Sequence, residues 1–320
     1  MQTVLRLDSK WYDDGLQLAK WSDSSKKVLS LAFFELREIL LRKVSPYCMH
    51  LKGRGGIKGS VRLLHRKLIE FPFAARFDVK SFYGSINHKI LLRLINNMDI
   101  KPTGGTPVVH PKSELSEIIR DYVIIPDTEN KGKGIVAGGA LSTLLGALYL
   151  SPLDSAMNAL YKKGSIFYLR YQDDCVILAK SRWKLKTALK LLYTTLDKLQ
   201  LKIHREEKYF VGKSSKGISF LGYYFIPGRK PKPSCECLGR FVKRARQLLE
   251  QFPSTENRGN VTPRSYDQSK KDRLLDYVMK FYTYLGAGLC DAASHRRARK
   301  IILFIEFKLG FDLSAKITLC

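Results

Sequence analysis

Two adjacent aspartates, Asp173 and Asp174, lie between two short apolar runs, IFYLR and CVILA, whose residue types favour β-strands. A third aspartate, Asp78, comes near the end of another apolar run, FAARFDV. Carboxylates held close together repel each other, and divalent cations remove that cost. If the runs pair as strands, the three carboxylates meet at one sheet edge, where they could hold two Mg²⁺ ions, or Mn²⁺, about 3.5–4 Å apart. Most Asp-Asp pairs in turns are simply solvated, so the pair alone leaves both interpretations open.

The chain is strongly basic. Its 320 residues include 56 Lys and Arg against 29 Asp and Glu, which gives a formal net charge of +27. Such a surface repels itself unless a polyanion shares it, and nucleic acid is the usual partner. No apolar run reaches the ~20 residues that span a bilayer, so no membrane partner is expected. The N-terminus lacks a signal-peptide core, and six cysteines do not make a disulfide framework. Composition therefore favours a cytoplasmic nucleic-acid-binding protein with about two structural units.

Apolar spacing divides the chain into an α+β body, to about residue 230, and a helical C-terminal part. Apolar residues from Leu29 to Val44 recur every three or four positions and predict a helix that ends before Pro46. The glycine-rich, basic segment HLKGRGGIKGSVR is typical of a flexible loop or hairpin that can approach a ligand closely. A further helix is predicted from about Leu141, ISFLGYYF is predicted to be a strand, and PGRKPKP a linker.

The C-terminal part carries a basic helix face. Phe241, Ala245 and Leu248 recur on one side of a predicted helix. The opposite side carries Arg240, Lys243, Arg244 and Arg246. Such a face could follow the phosphates of a nucleic-acid duplex without reading its sequence. A plain solvated helix face has the same pattern, and the overall charge favours the nucleic-acid interpretation.

Several blocks, taken in order, resemble the prokaryotic reverse transcriptases of the group II intron and retron type. YQDD resembles their metal-binding hairpin, FDVKSFYGSINH the strand with the first metal-binding aspartate, and HREEKYFVG the block that follows the hairpin. ISFLGYYF resembles the primer-grip hairpin, and HLKGRGGIKGSVR the fingers segment before the first catalytic strand. The resemblance covers about residues 30 to 230 and extends to defence-associated relatives of these enzymes.

This resemblance implies the α+β fold of a right-hand polymerase with fingers, an antiparallel-sheet palm and a helical thumb. The N-terminal helices and fingers would occupy residues 1–70, the palm 71–230 with an interleaved fingers segment at about 90–135, and the thumb 231–320. The implied reaction is RNA-directed DNA synthesis, in which a primer 3′-hydroxyl is extended with dNTPs by two-metal nucleotidyl transfer. The expected partners are an RNA template, the DNA product, dNTPs and, as a further candidate, a cognate structured noncoding RNA.

The resemblance also implies roles for individual residues. The metal ligands would be Asp78, Val79, Asp173 and Asp174, with the three aspartates catalytic. The nucleotide-binding residues would be Tyr83, Lys58, Arg62, Lys208 and Gly138. The primer grip would contain Leu221 and Gly222. The ring of Tyr83 would lie under the sugar of the incoming nucleotide and exclude a 2′-hydroxyl, although an aromatic residue after a strand also serves as core packing.

One block departs from the family pattern. Val136, Ala137 and Gly138 stand where the family usually has Pro-Gln-Gly, and Ala137 has no hydrogen-bonding side chain. Template-independent or protein-primed DNA synthesis therefore stays open as an alternative. An alternative of another class is a noncatalytic RNA-binding or maturation cofactor that has kept the fold. Phage defence and DNA repair both fit a stand-alone enzyme, and the sequence indicates no oligomeric state.

Overall fold

The computed structural model describes residues 5–13, 16–98, 112–205, 209–250 and 268–287, together with residues 296, 299, 300 and 303. The strands are β1 Leu7–Asp13, β2 Leu16–Trp21, β3 Phe73–Asp78, β4 Ile166–Tyr171, β5 Asp174–Ala179, β6 Phe210–Lys213, β7 Ile218–Phe220, β8 Tyr223–Phe225 and β9 Lys232–Pro233. The helices are α1 Asp23–Lys43, α2 Gly56–Leu68, α3 Phe82–Ser85, α4 His88–Asn96, α5 Lys112–Ile124, α6 Ser142–Tyr149, α7 Ser151–Lys162, α8 Arg182–Lys198, α9 Cys235–Leu249 and α10 Gln268–Ala287.

The chain divides into two compact units. The first contains residues 1–56 and 71–212, and the second contains residues 57–70 and 213–320. The sequence placed a boundary at about residue 230, whereas this division assigns residues 213–230, with β7 and β8, to the unit of the C-terminal helices. No helix within the described ranges is long and apolar enough to cross a membrane.

A four-stranded sheet in the order β4-β5-β3-β6 forms the centre of the first unit. β5 pairs antiparallel with both β3 and β4. Side chains on one face of these strands, including Phe77, Tyr168 and Ile177, belong to the main hydrophobic core. Most residues of β3, β4 and β5 are buried on both faces of the sheet. This agrees with the clustered apolar runs that predicted these strands.

An N-terminal β-hairpin, β1 with β2, was not predicted from the sequence. Polar residues alternate weakly along it, so it has little of the period-two pattern that marks a strand. Long-range contacts hold it instead. Lys10 and Gln17 donate hydrogen bonds to the Pro126 carbonyl at 3.1 and 2.8 Å. Trp21 stacks on Tyr122 with ring centroids 5.4 Å apart.

The segment predicted as a flexible loop is mostly helical. α2 begins at Gly56 and runs to Leu68, so the expectation of a loop through residue 62 is wrong. Its buried residues Val61, Leu64 and Leu68 have helical spacing, and their burial outweighs the low helix propensity of glycine. The preceding glycines, Gly53 and Gly55, have φ of 91° and 101°, and they form the turn before the helix.

In the second unit, the predicted strand ISFLGYYF is a two-stranded hairpin, and part of the predicted linker pairs as β9. Leu221 and Gly222 have φ of 49° and 80°, the conformation that a tight two-residue hairpin turn requires. Tyr284 of α10 packs against this turn and donates a 3.1 Å hydrogen bond to the Leu221 carbonyl. α9 and α10 pack through Phe241 and Phe281, whose rings stack with centroids 3.8 Å apart.

Candidate active site

Strand register brings two of the three predicted metal-binding aspartates together. Asp78, the last residue of β3, pairs directly with Asp174, the first residue of β5. Directly paired residues of antiparallel strands project from the same face, with Cα atoms about 4.5–5.5 Å apart. Asp78 is buried, with 6% of its surface exposed. Two acids that are 96 positions apart in sequence therefore lie side by side on one face of the sheet.

The third aspartate lies in the turn between β4 and β5. Tyr171 pairs with Asp174, so the turn contains only Gln172 and Asp173, and not the four residues expected from the sequence. Gln172 has φ of 55°, a left-handed conformation that is uncommon for a residue with a side chain. The tight turn extends both strands by one residue and places Asp174 in the sheet itself.

The Asp174 carboxylate is held by an arginine of the neighbouring strand. Arg76 donates from Nε to Oδ1 at 3.0 Å and from Nη2 to Oδ2 at 2.9 Å. The two side chains are 13% and 14% exposed. Arg76 lies two residues before Asp78, on the same strand face. The sequence analysis missed this arginine, although a charge inside an apolar strand is a sign of a partner on that face.

The ligand chemistry of this face fits a hard divalent cation, because carboxylate oxygens are the protein groups that Mg²⁺ binds. Asp78 and Asp174 supply such oxygens from adjacent strands. Across the described residues, however, no group of three or more His, Cys, Asp and Glu side chains is arranged to hold a metal ion. The Arg76 fork donates one hydrogen bond to each Asp174 oxygen, so a cation at Asp174 would share these oxygens with the guanidinium. Val79, the other predicted ligand, is buried and pairs with Ile203.

A second arginine–aspartate pair lies on the opposite face of the same sheet. Arg170 of β4 donates from Nε to Asp154 Oδ1 of α7 at 2.8 Å, and its Nη2 donates to Oδ2. Tyr168 donates to the same carboxylate at 2.9 Å. The Arg170 and Asp154 side chains are 0% and 2% exposed. Burial, followed by the charge of Asp154, raises the pKa of Tyr168 well above its ordinary value.

Arg170 also contacts the β4–β5 hairpin. Its Nη1 donates to the Gln172 carbonyl at 2.8 Å. The Gln172 N–H, in turn, donates to Nδ1 of His50 at 3.0 Å. Burial, followed by the charge of Arg170, lowers the pKa of His50 to about 3, so the imidazole is neutral and Nδ1 can accept this bond. The sequence analysis found no role for Arg170, Asp154 or His50.

Tyr83, a predicted nucleotide-binding residue, lies near the side chains of Thr143 and Asp173. Burial raises its pKa, a hydrogen bond with the Thr143 side chain lowers it, and the charge of Asp173 raises it further. Its ring packs against Phe82 at 5.5 Å. A Cβ at Gly146 of α6 would lie 3.0 Å from Phe82 and 3.5 Å from Tyr83, so this glycine allows both rings to pack closely.

The segment that departs from the family pattern is held by the N-terminal hairpin. The Ala137 N–H donates to the Gln17 carbonyl at 2.6 Å. Gly138 has φ of 65° and is exposed, with open space around it. A Cβ at Gly139 would overlap Tyr122 Oη, and that hydroxyl bonds Ser142 at 2.8 Å. The hydrogen bond to Gln17 and the close packing of Tyr122 on Gly139 therefore position the backbone of residues 137–139. The side chain of Ala137 adds only a methyl group.

The remaining predicted site residues belong to the second unit or lie outside the described residues. Lys58 and Arg62 lie on the exposed side of α2. Leu221 and Gly222 form the β7–β8 turn. The basic residues of α9 are exposed opposite a buried apolar stripe, as predicted; they are Arg240, Lys243, Arg244 and Arg246. Lys208 lies outside the described residues.

Residues 45–225 match the family described as reverse transcriptase (RNA-dependent DNA polymerase). The chain belongs to this family. The match covers more than half of the reverse transcriptase and includes the three aspartates, Tyr83 and the β7–β8 turn. It confirms the predicted enzyme class, a nucleotidyltransferase. Domains of this family generally use divalent metal ions. The search of curated proteins finds no match.

Two solved telomerase structures are similar to this reverse transcriptase. Telomerase from Candida albicans, in complex with a TWJ fragment of telomeric RNA, aligns with a TM-score of 0.52 and 12% identity over 88% of this chain and 56% of its own. Apo telomerase from Candida tropicalis, truncated from its C-terminal domain, aligns with a TM-score of 0.47 and 17% identity over 66% of this chain and 45% of its own. The reverse transcriptase thus spans little more than half the length of the first. Together with the family match, the likeness to the Candida albicans structure confirms the predicted right-hand polymerase fold.

Proposed function

We propose that this chain is an RNA-directed DNA polymerase that extends a primer 3′-hydroxyl with dNTPs on an RNA template. The pairing of Asp78 with Asp174, with Asp173 in the adjoining turn, carries this proposal. Carboxylate oxygens that face each other from adjacent strands support a site for divalent ions. The proposal includes Asp78, Asp173 and Asp174 as the ligands of two Mg²⁺ ions.

Bound divalent ions would supply the charge stabilisation and the hydroxyl activation of nucleotidyl transfer. The chain's own residues orient the reactants. Asp78 and Asp174 approach from adjacent strands, so the sheet sets the separation of their carboxylates. The Arg76 guanidinium offsets the charge of Asp174, which lowers the repulsion between the acids of the free enzyme.

Tyr83 is proposed to select deoxynucleotides. Its half-buried ring is packed against Phe82 and over Gly146, and its hydroxyl bonds Thr143, so the ring is not free to turn away from a bulkier sugar. Gly138 is proposed to line the same nucleotide site, because its open surroundings and positive φ allow a base pair to approach the backbone.

The basic surfaces are proposed to bind nucleic acid. The exposed α9 residues would contact duplex phosphates, Lys58 and Arg62 of α2 would contact the triphosphate, and Leu221 and Gly222 would hold the primer end. The finer relation to prokaryotic group II intron and retron enzymes, a role in phage defence and a cognate noncoding RNA are further parts of this proposal. The sequence blocks support them.

The central experiment is primer extension on an RNA template with dNTPs and Mg²⁺, for the wild type and for Asp78→Asn and Asp174→Asn. Each substitution removes a charged oxygen ligand, and synthesis is expected to fall at least about 100-fold. Asp197→Asn on the exposed side of α8 is the matched control and should retain wild-type rates. Synthesis by the two variants at the control rate would reject the proposed metal site. A homopolymer made without template would favour template-independent synthesis.

Sugar selection is tested by Tyr83→Ala. The smaller side chain removes the barrier to a 2′-hydroxyl, so ribonucleotide incorporation relative to deoxynucleotide incorporation should rise about 10-fold or more. Tyr83→Phe keeps the ring and should keep the discrimination. Unchanged discrimination in the alanine variant would exclude Tyr83 as the sugar-selecting residue.

A further inference from the structure

The corner of the catalytic hairpin has an unusual backbone conformation. Gln172 has φ of 55°, which non-glycine residues seldom adopt, and it directly precedes Asp173. A shift of this residue to an ordinary φ would move Asp173 and change the start of β5. The orientation of two acidic side chains therefore depends on a backbone conformation that the local sequence does not favour.

Side chains from elsewhere hold both backbone polar groups of Gln172. Its N–H donates to His50 Nδ1 at 3.0 Å, and its carbonyl accepts from Arg170 Nη1 at 2.8 Å. Arg170 is itself fixed by the buried Asp154 carboxylate. Hairpin turns at protein surfaces normally leave such groups to water, so two protein partners at one corner residue constitute a clamp.

His50 is firmly attached to the sheet. The chain before it runs beside β4, where Arg170 donates its N–H to the Tyr47 carbonyl at 3.0 Å and accepts from the Met49 N–H at 2.8 Å. The Gly56 N–H then returns to the Met49 carbonyl at 3.1 Å and closes the following turn. The imidazole ring also packs edge-on against Tyr171, with centroids 6.0 Å apart. His50 is thus placed by backbone hydrogen bonds on one side and by ring packing on the other.

We propose that His50 is a positioning residue, which holds the Gln172 corner in its left-handed conformation and so fixes Asp173 and Asp174 for catalysis. The expected effect of His50 on the rate of DNA synthesis rests on the proposed polymerase function. The hydrogen bond between His50 and Gln172 does not depend on that function. His50 lies in the glycine-rich segment, 122 residues before Gln172. The glycine-rich segment therefore contacts the β4–β5 hairpin through the Gln172 N–H as well as through the Tyr171 ring.

His50 separates positioning from folding better than Arg170 does, because Arg170 also forms a fully buried ion pair. His50→Leu removes the acceptor and keeps apolar bulk. His50→Asn places its side-chain oxygen where Nδ1 was, whereas His50→Gln places its amide one atom further from the backbone, near the Nε2 position. The asparagine variant is thus the rescue, and the glutamine variant is a second test should the leucine variant fail to fold. His65→Leu on α2 is the matched histidine control.

Two measurements on the full chain decide the proposal. The first is hydrogen exchange at the Gln172 amide, which reports the bond to His50 without any need for activity. The second is steady-state primer extension with dNTPs. In His50→Leu and His50→Gln, amide protection should be lost and kcat should fall about 10- to 100-fold, with KM for dNTP unchanged. His50→Asn should restore both, and His65→Leu should match the wild type.

Wild-type protection of the Gln172 amide in His50→Leu or His50→Gln would overturn the proposed clamp. Lost protection with wild-type kcat would overturn the positioning role. If the wild-type chain makes no DNA on any template, the polymerase proposal fails by itself, and the exchange measurement still decides whether His50 holds the hairpin.

Discussion

The central sheet carries an arginine–aspartate pair on each face, and the two pairs have different surroundings. Arg170 and Asp154 are 0% and 2% exposed, and the carboxylate takes a third hydrogen bond from Tyr168. Arg76 and Asp174 are 13% and 14% exposed at the end of a strand. The Asp154 carboxylate accepts three hydrogen bonds from Arg170 and Tyr168 and is almost completely buried. The Asp174 carboxylate accepts the two-bond fork of Arg76 at a strand end and is more exposed than that of Asp154.

This difference indicates what each pair contributes. A buried pair costs much to desolvate, so losing one partner leaves an uncompensated charge in the core. A pair that is partly exposed to solvent contributes less to the free energy of unfolding. Arg170, fixed by Asp154, thus supports the β4–β5 hairpin on one face of the sheet. On the other face, Arg76 offsets the charge of Asp174.

The largest effect is expected at the buried pair. Arg170→Met leaves the Asp154 carboxylate without its main partner, and the free energy of unfolding should fall by about 3–5 kcal/mol. Urea denaturation followed by circular dichroism measures this loss. Arg182→Met at the exposed start of α8 is the control, with an expected change under about 0.5 kcal/mol. A loss as small as that of the control would show that the buried pair is not a structural requirement.

Double-mutant cycles sharpen the contrast between the pairs. Combining Arg170→Met with Asp154→Leu should give a coupling energy of about 2–3 kcal/mol, because removing the second partner also removes the unpaired charge. The corresponding cycle of Arg76→Gln with Asp174→Asn should give less than about 1 kcal/mol. Equal coupling energies would mean that the difference in burial has no energetic consequence.

Alkaline pH should lower the free energy of unfolding through the buried side chain of Tyr122. Burial raises the pKa of Tyr122 to about 12 from an ordinary value of 10.0. A raised pKa means that the folded state keeps its proton longer, so the stability is complete below pH 10 and is lost as pH rises from 10 toward 12. At pH 11 the loss should be about 1 kcal/mol, and Tyr122→Phe should remove that part of the pH dependence. Tyr12→Phe, at an exposed tyrosine, should leave the dependence unchanged.

The smallest change in stability is expected at the Arg76–Asp174 pair, which is partly exposed. Arg76→Gln should change the free energy of unfolding by about 1 kcal/mol or less. Without the competing guanidinium, the aspartates should bind a divalent cation about two- to tenfold more tightly. Direct Mn²⁺ titration measures this affinity without reference to catalysis. Weaker Mn²⁺ binding in the variant would show that Arg76 supports the ion site and does not compete with it.

Local patterns in the sequence were sufficient for much of the fold. The three apolar runs predicted β3, β4 and β5, and the helices α1, α6 and α9 were also predicted. The N-terminal hairpin was not predicted because long-range hydrogen bonds hold it. Part of α2 was expected to be a loop because burial of its apolar residues, and not local helix propensity, stabilises this helix. The β4–β5 turn is shorter than predicted, and the predicted strand ISFLGYYF contains a turn, because Gln172 and Leu221 take a positive φ.

The sequence by itself determined which acids and strands could form the site, since strand formation and carboxylate chemistry depend on local residue types and their spacing. Only the tertiary structure decided how those acids are held. Arg76 and Asp174 are 98 residues apart, and His50 and Gln172 are 122 apart. Such pairs meet through strand register and chain packing, because no local periodicity specifies which distant side chain will face a given carboxylate or backbone amide.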